Sequence, residues 1–192
     1  MSIRLEVKAL GPELEQDFYQ FHSNPVCKGC YCVAWYVPTW EGWDKRTPEQ
    51  NKSFRETLFK NGASDGFLFY VNSKPVGWIQ ILHVRTAPKL GAMLKLKTAV
   101  DAHAVGCMLL LPEYRKKGLS RVFLLTVLKH LKIKGIKKLL AIPKSEGPVA
   151  DDEAWNGPAK LFDSLGFVKG EKVLDRVVYY KDLTRNDAIP AR

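Results

Sequence analysis

The most informative segment of the chain spans residues 109–120 and reads Leu109-Leu110-Leu111-Pro112-Glu113-Tyr114-Arg115-Lys116-Lys117-Gly118-Leu119-Ser120. Its first three residues end a largely apolar stretch, 102–111, which is typical of a strand buried on both faces, and Pro112 ends that strand. After Ser120, apolar residues recur at helical spacing up to residue 134, and Gly135 caps the predicted helix. The segment is therefore a loop that joins a buried strand to a long amphipathic helix.

This loop has the composition of an anion-binding helix start. The first N–H groups of a helix lack partners within the helix, and the macrodipole adds partial positive charge there. Gly118 allows close approach of the backbone to a ligand, Ser120 is small, and Arg115, Lys116 and Lys117 add positive charge. A diphosphate fits this combination. A solvated helix start is the competing interpretation, because a glycine two residues from a small residue is common.

Working outward, strands and helices alternate along the chain. The strands are predicted at 3–7, 67–71, 76–84, 102–111, 138–142, 167–173 and 175–183. Helices are predicted around Leu14 to Phe21, between the capping box that starts at Thr47 and the stop at Asn61-Gly62, at 119–134, and after Asn156. The basic stretch 85–100 is predicted to be a loop that overhangs a site.

Composition limits the class of protein. The chain has 192 residues, of which 46% are hydrophobic and 26% charged, as in a folded domain. Thirty Lys and Arg against twenty Asp and Glu give a net charge of +10, which favours an anionic partner. The basic residues match no nucleic-acid-binding module, so no nucleic acid is expected.

The apolar run 104–111 is far shorter than the ~20 residues that cross a bilayer, and no secretory signal begins the chain, so we expect a cytoplasmic protein without a membrane partner.

Three of the four cysteines lie in the string Cys27-Lys28-Gly29-Cys30-Tyr31-Cys32, and the fourth is Cys107. In a reducing compartment, thiols are favoured over disulfides. His22 could complete four zinc ligands, but no second Cys-x-x-Cys or His pair gives a known spacing, so we expect buried thiols and no metal.

The aromatic-rich stretch 24–43 is either a lid packed on the core or the wall of a substrate cleft. Its candidate cleft residues are Tyr31, Cys32 and Trp35.

Two motifs resemble those of the GNAT superfamily of acyl-CoA N-acyltransferases. Arg115-x-x-Gly118-x-Ser120 is similar to the pyrophosphate loop of that family, Arg/Gln-x-x-Gly-x-Gly/Ala, with serine in the last small position. The segment 159–167 looks like the later family motif, a short helix that ends in Gly-Phe and flanks the pantetheine arm. The resemblance implies an α+β fold with α/β/α layers, in which helices flank a mixed central sheet of six to seven strands. It also implies a single N-acetyltransferase domain over 1–183 and a C-terminal tail over 184–192.

By this resemblance, the chain would move an acetyl group from acetyl-CoA to a primary amine of a small molecule or peptide. The amine would attack directly in a ternary complex, and the protein would be a monomer or a homodimer. The alternative is an acyl-CoA-binding sensor module of the same fold without turnover. The residues implied to bind coenzyme A are Met108, Leu109, Leu110, Leu111, Arg115, Lys116, Lys117, Gly118, Leu119, Ser120, Asn156 and Phe162.

The catalytic acid and base stay open in the sequence. Many relatives carry a tyrosine as general acid in the short helix, but the matching position here is Phe162, which has no proton to give. A backbone N–H near Leu109 would stabilise the oxyanion. The candidate bases are His103 on the long strand and Glu153, with its neighbour Asp152, before the short helix. A hydrogen-bonded strand histidine and solvated charges at a helix start are the competing interpretations.

Overall fold

The computed structural model describes residues 3–94, 101–144 and 155–185. Within these ranges, seven strands form one sheet, as predicted. The strands are β1 Leu5–Ala9, β2 Gly66–Val71, β3 Lys74–His83, β4 His103–Leu110, β5 Lys138–Ala141, β6 Val168–Val173 and β7 Arg176–Asp182. The helices are α1 Glu15–His22, α2 Pro48–Lys60, α3 Pro88–Leu94, α4 Leu119–Ile133 and α5 Ala159–Ser164. None of these helices is long and apolar enough to cross a membrane.

The sheet separates at its centre. Its order is β1-β2-β3-β4-β5-β7-β6, and the β4–β5 pair is parallel, whereas the other neighbours are antiparallel. In the described residues, β4 and β5 pair only through His103 with Leu139 and Ala104 with Leu140. From Val105 onward, the edge of β4 that faces β5 is therefore open to other partners.

A β-bulge lies on β4 just after this separation. Gln80 of β3 pairs with Cys107 and Ile81 pairs with Val105, so that Gly106 is an extra residue on β4. Bulges bend a strand and redirect its side chains, and they are frequent beside active sites. A Cβ atom at position 106 would lie 2.9 Å from Oε1 of Gln80. This close approach explains why glycine stands there.

Helices cover both faces of the sheet and form the predicted α/β/α layers. Phe18 of α1 packs edge-on against Trp78 of β3, with ring centroids 5.0 Å apart. Phe123 of α4 stacks on Phe69 of β2, also at 5.0 Å. Phe69 pairs with Gly77, the neighbour of Trp78, and successive side chains of a strand point to opposite faces. Helices α1 and α4 therefore lie on opposite sides of the sheet.

A buried ion pair fixes α2 to the sheet. Arg55 is fully buried and donates hydrogen bonds of 2.9 and 2.5 Å to Asp65. Oδ2 of Asp65 also accepts from the Tyr36 hydroxyl at 2.7 Å and from the Gln80 amide at 2.8 Å. Burial alone would raise the pKa of Asp65, but the charge of Arg55 and these hydrogen bonds outweigh it and hold the pKa below its ordinary value. Asp65 is thus an ionised acceptor that orients Gln80.

The stretch 85–100, predicted to be a loop, contains helix α3 instead. Pro88 occupies the first position of this helix, where its missing N–H costs no hydrogen bond. Leu90 and Leu94 are buried in a cluster that includes the ends of β3 and β4. The seven-residue length of α3 and the glycine at position 91 hide its period in the sequence. Residues 95–100 lie outside the described ranges.

Candidate active site

The loop between β4 and α4 has a backbone suited to bind an anion. Gly118 is left-handed, with a φ of 75°, and precedes the first residue of α4. Lys116 is also left-handed, with a φ of 57°. No side chain in the described part of the chain caps α4, and its first turn holds no acidic residue. The N–H of Arg121 donates to the Gly118 carbonyl at 3.1 Å, whereas those of Leu119 and Ser120 have no side-chain cap in the described residues and are free to face an anion.

A groove of about 200 Å³, here called the loop groove, runs from this loop to the open edge of β4. It contains seven of the residues predicted to bind coenzyme A. The lining residues are Met108, Leu109, Leu110, Tyr114, Arg115, Lys116, Leu119, Ser120, Gly157 and Pro158. Of the other predicted residues, Leu111 is buried and donates its N–H to the Val76 carbonyl at 2.9 Å, and Lys117 is exposed.

The segment around Trp155 occupies the open edge of β4. The N–H of Met108 donates to the Trp155 carbonyl at 2.6 Å, so this amide already has a partner. The side chain of Asn156 donates to the Gly106 carbonyl at 2.9 Å, and its Oδ1 accepts from Arg176. Asn156 does not line the loop groove. In this structure, it holds residues 155–157 against β4.

Phe162 does not line the loop groove either, although its ring lies behind Gly157 in the groove wall, where a Cβ atom at position 157 would lie 3.0 Å from Cζ of Phe162. It is fully buried and packs against Phe167 and Tyr179, with ring centroids 5.2 and 6.1 Å apart. Its surroundings are those of a core residue of α5.

A second and larger cavity, here called the tryptophan cavity, has a volume of about 490 Å³. Four tryptophans form its walls, and it reaches β4 at Gly106, Cys107 and Leu109. Leu109 lines the loop groove as well, so the two spaces adjoin at this point of β4. The tryptophans are Trp35, Trp40, Trp43 and Trp155, and the polar and charged lining residues are His22, Lys28, Asp44, Arg46, Asn51 and Gln80.

The predicted cleft residues differ in their positions. Cys32 and Trp35 line the tryptophan cavity, and the indole N–H of Trp35 donates to the Gly106 carbonyl at 2.8 Å. Tyr31 does not line this cavity but stacks beside His22, with ring centroids 6.2 Å apart. The aromatic segment is therefore both a wall and part of the core.

All four cysteines are free thiols. Burial raises the pKa of Cys32 well above its ordinary value, and a hydrogen bond with Cys32 together with burial does the same for Cys30. The described residues contain no group of His, Cys, Asp and Glu side chains placed to hold a metal ion. Cys30 and Cys32 are therefore protonated side chains in the cavity wall.

Of the candidate bases, His103 lines neither the loop groove nor the tryptophan cavity. His103 lies at the far end of β4, with its ring centroid 4.9 Å from that of His83, and lines a separate cavity with His83 and Asp65. Burial and the charge of His83 lower its pKa. Glu153 and Asp152 lie outside the described residues.

Sequence reasoning missed the polar residues of the tryptophan cavity, among them His22 and Gln80. His22 follows the helical spacing of Phe18 and Phe21 and was considered only as a zinc ligand. Gln80 stands alone among apolar residues in 76–82, and this interruption of a buried strand is the signal that could have revealed it.

The burial of His22 makes the fold sensitive to acid. Burial, with a smaller effect from Arg55, lowers the pKa of His22 from 6.5 to about 3. Within that window, the unfolded chain binds a proton that the folded chain does not, so the free energy of unfolding should fall as the pH falls from 6.5 towards 3. Urea unfolding of the wild type and of His22→Phe, which preserves the aromatic stack, measures this contribution. We expect a flatter pH dependence in the variant, and parallel curves through the window would contradict the assignment.

Comparisons with known proteins agree with this architecture. A family profile described as Acetyltransferase (GNAT) family matches residues 31–151. An N-acetyltransferase structure from Staphylococcus aureus Mu50 is 16% identical, with a TM-score of 0.56, and the match covers 94% of this chain and 99% of that one. No curated protein sequence matches the chain.

Two further similar structures were solved with ligands. The PaiA N-acetyltransferase of Thermoplasma acidophilum, in complex with coenzyme A, is 18% identical with a TM-score of 0.55, and the match covers 95% of this chain and 99% of that one. YncA of Salmonella typhimurium, with its cofactor acetyl-CoA, is 12% identical with a TM-score of 0.57, and the match covers 98% of this chain and 99% of that one. At these identities, the likeness shows a shared fold.

Proposed function

Because the chain belongs to the GNAT acetyltransferase family, we propose that it transfers an acetyl group from acetyl-CoA to a primary amine of a small molecule or peptide. The observation that carries this proposal is the meeting of two spaces at Leu109 of β4. One space leads to a helix start suited to phosphates, and the other is a separate, largely aromatic cavity. A donor and an acceptor could therefore approach the same point of β4 from different sides, which a direct transfer requires.

The residues of the loop groove fit the diphosphate of coenzyme A. The uncapped start of α4 offers N–H donors, Gly118 keeps the loop free of a side chain, and Lys116 adds a positive charge beside them. Arg115 donates to the Leu110 carbonyl at 2.9 Å and so holds the loop against β4. When bound, acetyl-CoA would supply the thioester that the amine attacks, with coenzyme A leaving as a thiol.

We assign stabilisation of the oxyanion to the N–H of Met108. The N–H of Leu111 donates to Val76 of β3, so by the alternation of an antiparallel pair the N–H of Leu109 faces β3 as well. The N–H of Met108 instead faces the open edge, where it now bonds to Trp155. Once released from the Trp155 carbonyl, this N–H would be free to donate to the carbonyl oxygen of the thioester.

A sensor that binds acyl-CoA without turnover is the second candidate. The observation that favours it is the position of Phe162, which stands where many relatives carry a general acid and is fully buried in the core. Turnover does not demand that acid, because a thiol with a reference pKa of about 8.5 can leave as the thiolate.

Calorimetry with acetyl-CoA and chromatographic measurement of coenzyme A release against a panel of primary amines separate these functions. We expect acetyl-CoA to bind and at least one amine to accelerate release of coenzyme A, with formation of an N-acetylated product. Binding without turnover on every amine would favour the sensor. Absence of binding would rule out both.

A further inference from the structure

We propose that the tryptophan cavity takes a primary amine carried on a flat apolar body without a second positive charge, and that His22 and Gln80 bind its N–H groups. This inference rests on the proposed function, because it assigns the acceptor side of the same reaction. Its basis is a pair of buried side chains in the cavity wall, each with one polar atom that lacks a hydrogen-bond partner in the described structure.

The free atom of His22 is a hydrogen-bond acceptor. Nδ1 lies 2.9 Å from the Phe18 carbonyl oxygen, and because a carbonyl only accepts, Nδ1 must carry the ring proton. The imidazole is buried and neutral. Nε2 therefore keeps an open lone pair, and no described residue donates to it.

The free atom of Gln80 is also an acceptor. Its Nε2 donates to the Cys32 carbonyl at 2.7 Å and to Oδ2 of Asp65 at 2.8 Å. Both partners only accept, so an exchange of the amide oxygen and nitrogen would break both bonds. Oε1 therefore has a fixed orientation, next to Gly106 in the cavity wall, and it is buried without a partner.

Two fixed acceptors select for a ligand that donates hydrogen bonds. A primary amine has at least two N–H groups and can serve both atoms, whereas a hydroxyl has one and a carboxylate has none. A ligand without enough donors leaves a buried acceptor unpaired, which weakens binding by about tenfold or more. The polar part of the wall thus favours an amine over the matching alcohol.

The remaining wall defines the body of the ligand. Trp35 packs against Trp155 with ring centroids 5.6 Å apart, and these rings offer broad apolar contact. The ring of Trp40 already contacts a cation, because Nζ of the buried Lys89 lies 3.4 Å from the ring centroid. Arg46 lines the same cavity, and Asp44 is the one carboxylate among the described lining residues. The resulting positive charge disfavours a diamine and favours a monoamine.

Three matched probes test this specificity on the intact protein: 2-phenylethylamine, 2-phenylethanol and 1,4-diaminobutane. Binding is followed by tryptophan fluorescence in the presence of acetyl-CoA, and turnover by release of coenzyme A. We expect 2-phenylethylamine to bind and react, with at least tenfold weaker binding of the alcohol and of the diamine. Equal binding of the alcohol, preference for the diamine or failure of 2-phenylethylamine to bind would overturn the proposal.

Variants of His22 assign the contact to its Nε2 atom. His22→Phe preserves the ring stack and removes the acceptor, so KM for 2-phenylethylamine should rise about tenfold while the affinity for acetyl-CoA stays unchanged. His22→Gln restores an acceptor near the position of Nε2 and should recover part of the loss. An unchanged KM in a folded His22→Phe protein would remove His22 from the site. If the wild type did not bind acetyl-CoA, the proposed function itself would be refuted.

The comparison of amine with alcohol requires no variant, so it remains decisive if a substitution at His22 fails to fold. Gln80→Met gives a second check, since it removes the acceptor Oε1 and keeps a side chain of similar size. Thermal unfolding first establishes that this variant is folded. It should then lose the discrimination between amine and alcohol, and retention of the full ratio would exclude Gln80 as a ligand-binding residue.

Discussion

Gly118→Glu is expected to reduce the affinity for coenzyme A by more than about a hundredfold, because a carboxylate opposite a bound phosphate costs several kcal/mol. The residue precedes α4, where the N–H groups of the helix have no side-chain cap within the described structure. A glutamate there would place negative charge beside these donors and satisfy them from within the chain. Isothermal titration calorimetry with coenzyme A measures the loss.

Gly118→Gln is the matched control. Both side chains must adopt the left-handed conformation of this position, which costs each variant about 1–2 kcal/mol of stability. The two differ only in charge, so the loss of affinity should be clearly smaller for glutamine. Equal losses would mean that steric conflict, and not phosphate recognition, explains the effect. An unchanged affinity in Gly118→Glu would move the diphosphate away from this loop.

Asp65→Asn is expected to destabilise the protein by about 3–5 kcal/mol, because it leaves the charge of Arg55 buried without a counter-ion. The hydrogen bonds between Arg55 and Asp65 measure 2.9 and 2.5 Å, and Arg55 is fully buried. Urea unfolding gives the free energy directly. The variant should also loosen Gln80, whose amide donates to Asp65.

Asp101→Asn provides the corresponding surface control. Asp101 forms an ion pair with His83 at 3.4 Å, and the side chain of Asp101 is 90% exposed. Exposed ion pairs contribute about 0–1 kcal/mol, so this variant should remain close to the wild type. If Asp65→Asn were as mild as Asp101→Asn, the buried pair would have no structural role.

Local patterns were sufficient to predict much of the fold. The apolar run before Pro112 and the amphipathic pattern after Gly118 each act within a few residues, so β4, the loop and α4 lie where the sequence indicates. The capping box at Thr47 is present with both of its hydrogen bonds. Helix α3 was missed because its burial depends on contacts with β3 and β4 and not on a long period of its own.

The arrangement of the site could be predicted only in part. The N–H groups of the loop follow from chain geometry, whereas the tryptophan cavity depends on distant segments that meet at the bulge of β4. Gly106 illustrates this: its carbonyl accepts from Trp35 and from Asn156, residues far apart in the chain. No local pattern contains such a meeting point. Asn156 was expected to face the cofactor, and the contacts described here show it as a clamp between β4 and Arg176.

The bond between Met108 and Trp155 has a consequence for the order of events in turnover. Trp155 occupies the backbone edge of β4 and is also a wall of the tryptophan cavity. A cofactor that pairs with Met108 would therefore replace the Trp155 carbonyl at this N–H, and the wall that Trp155 gives to the pocket of the second substrate would settle only afterwards. We expect ordered kinetics in which acetyl-CoA binds first and the amine has a low affinity for the enzyme without acetyl-CoA.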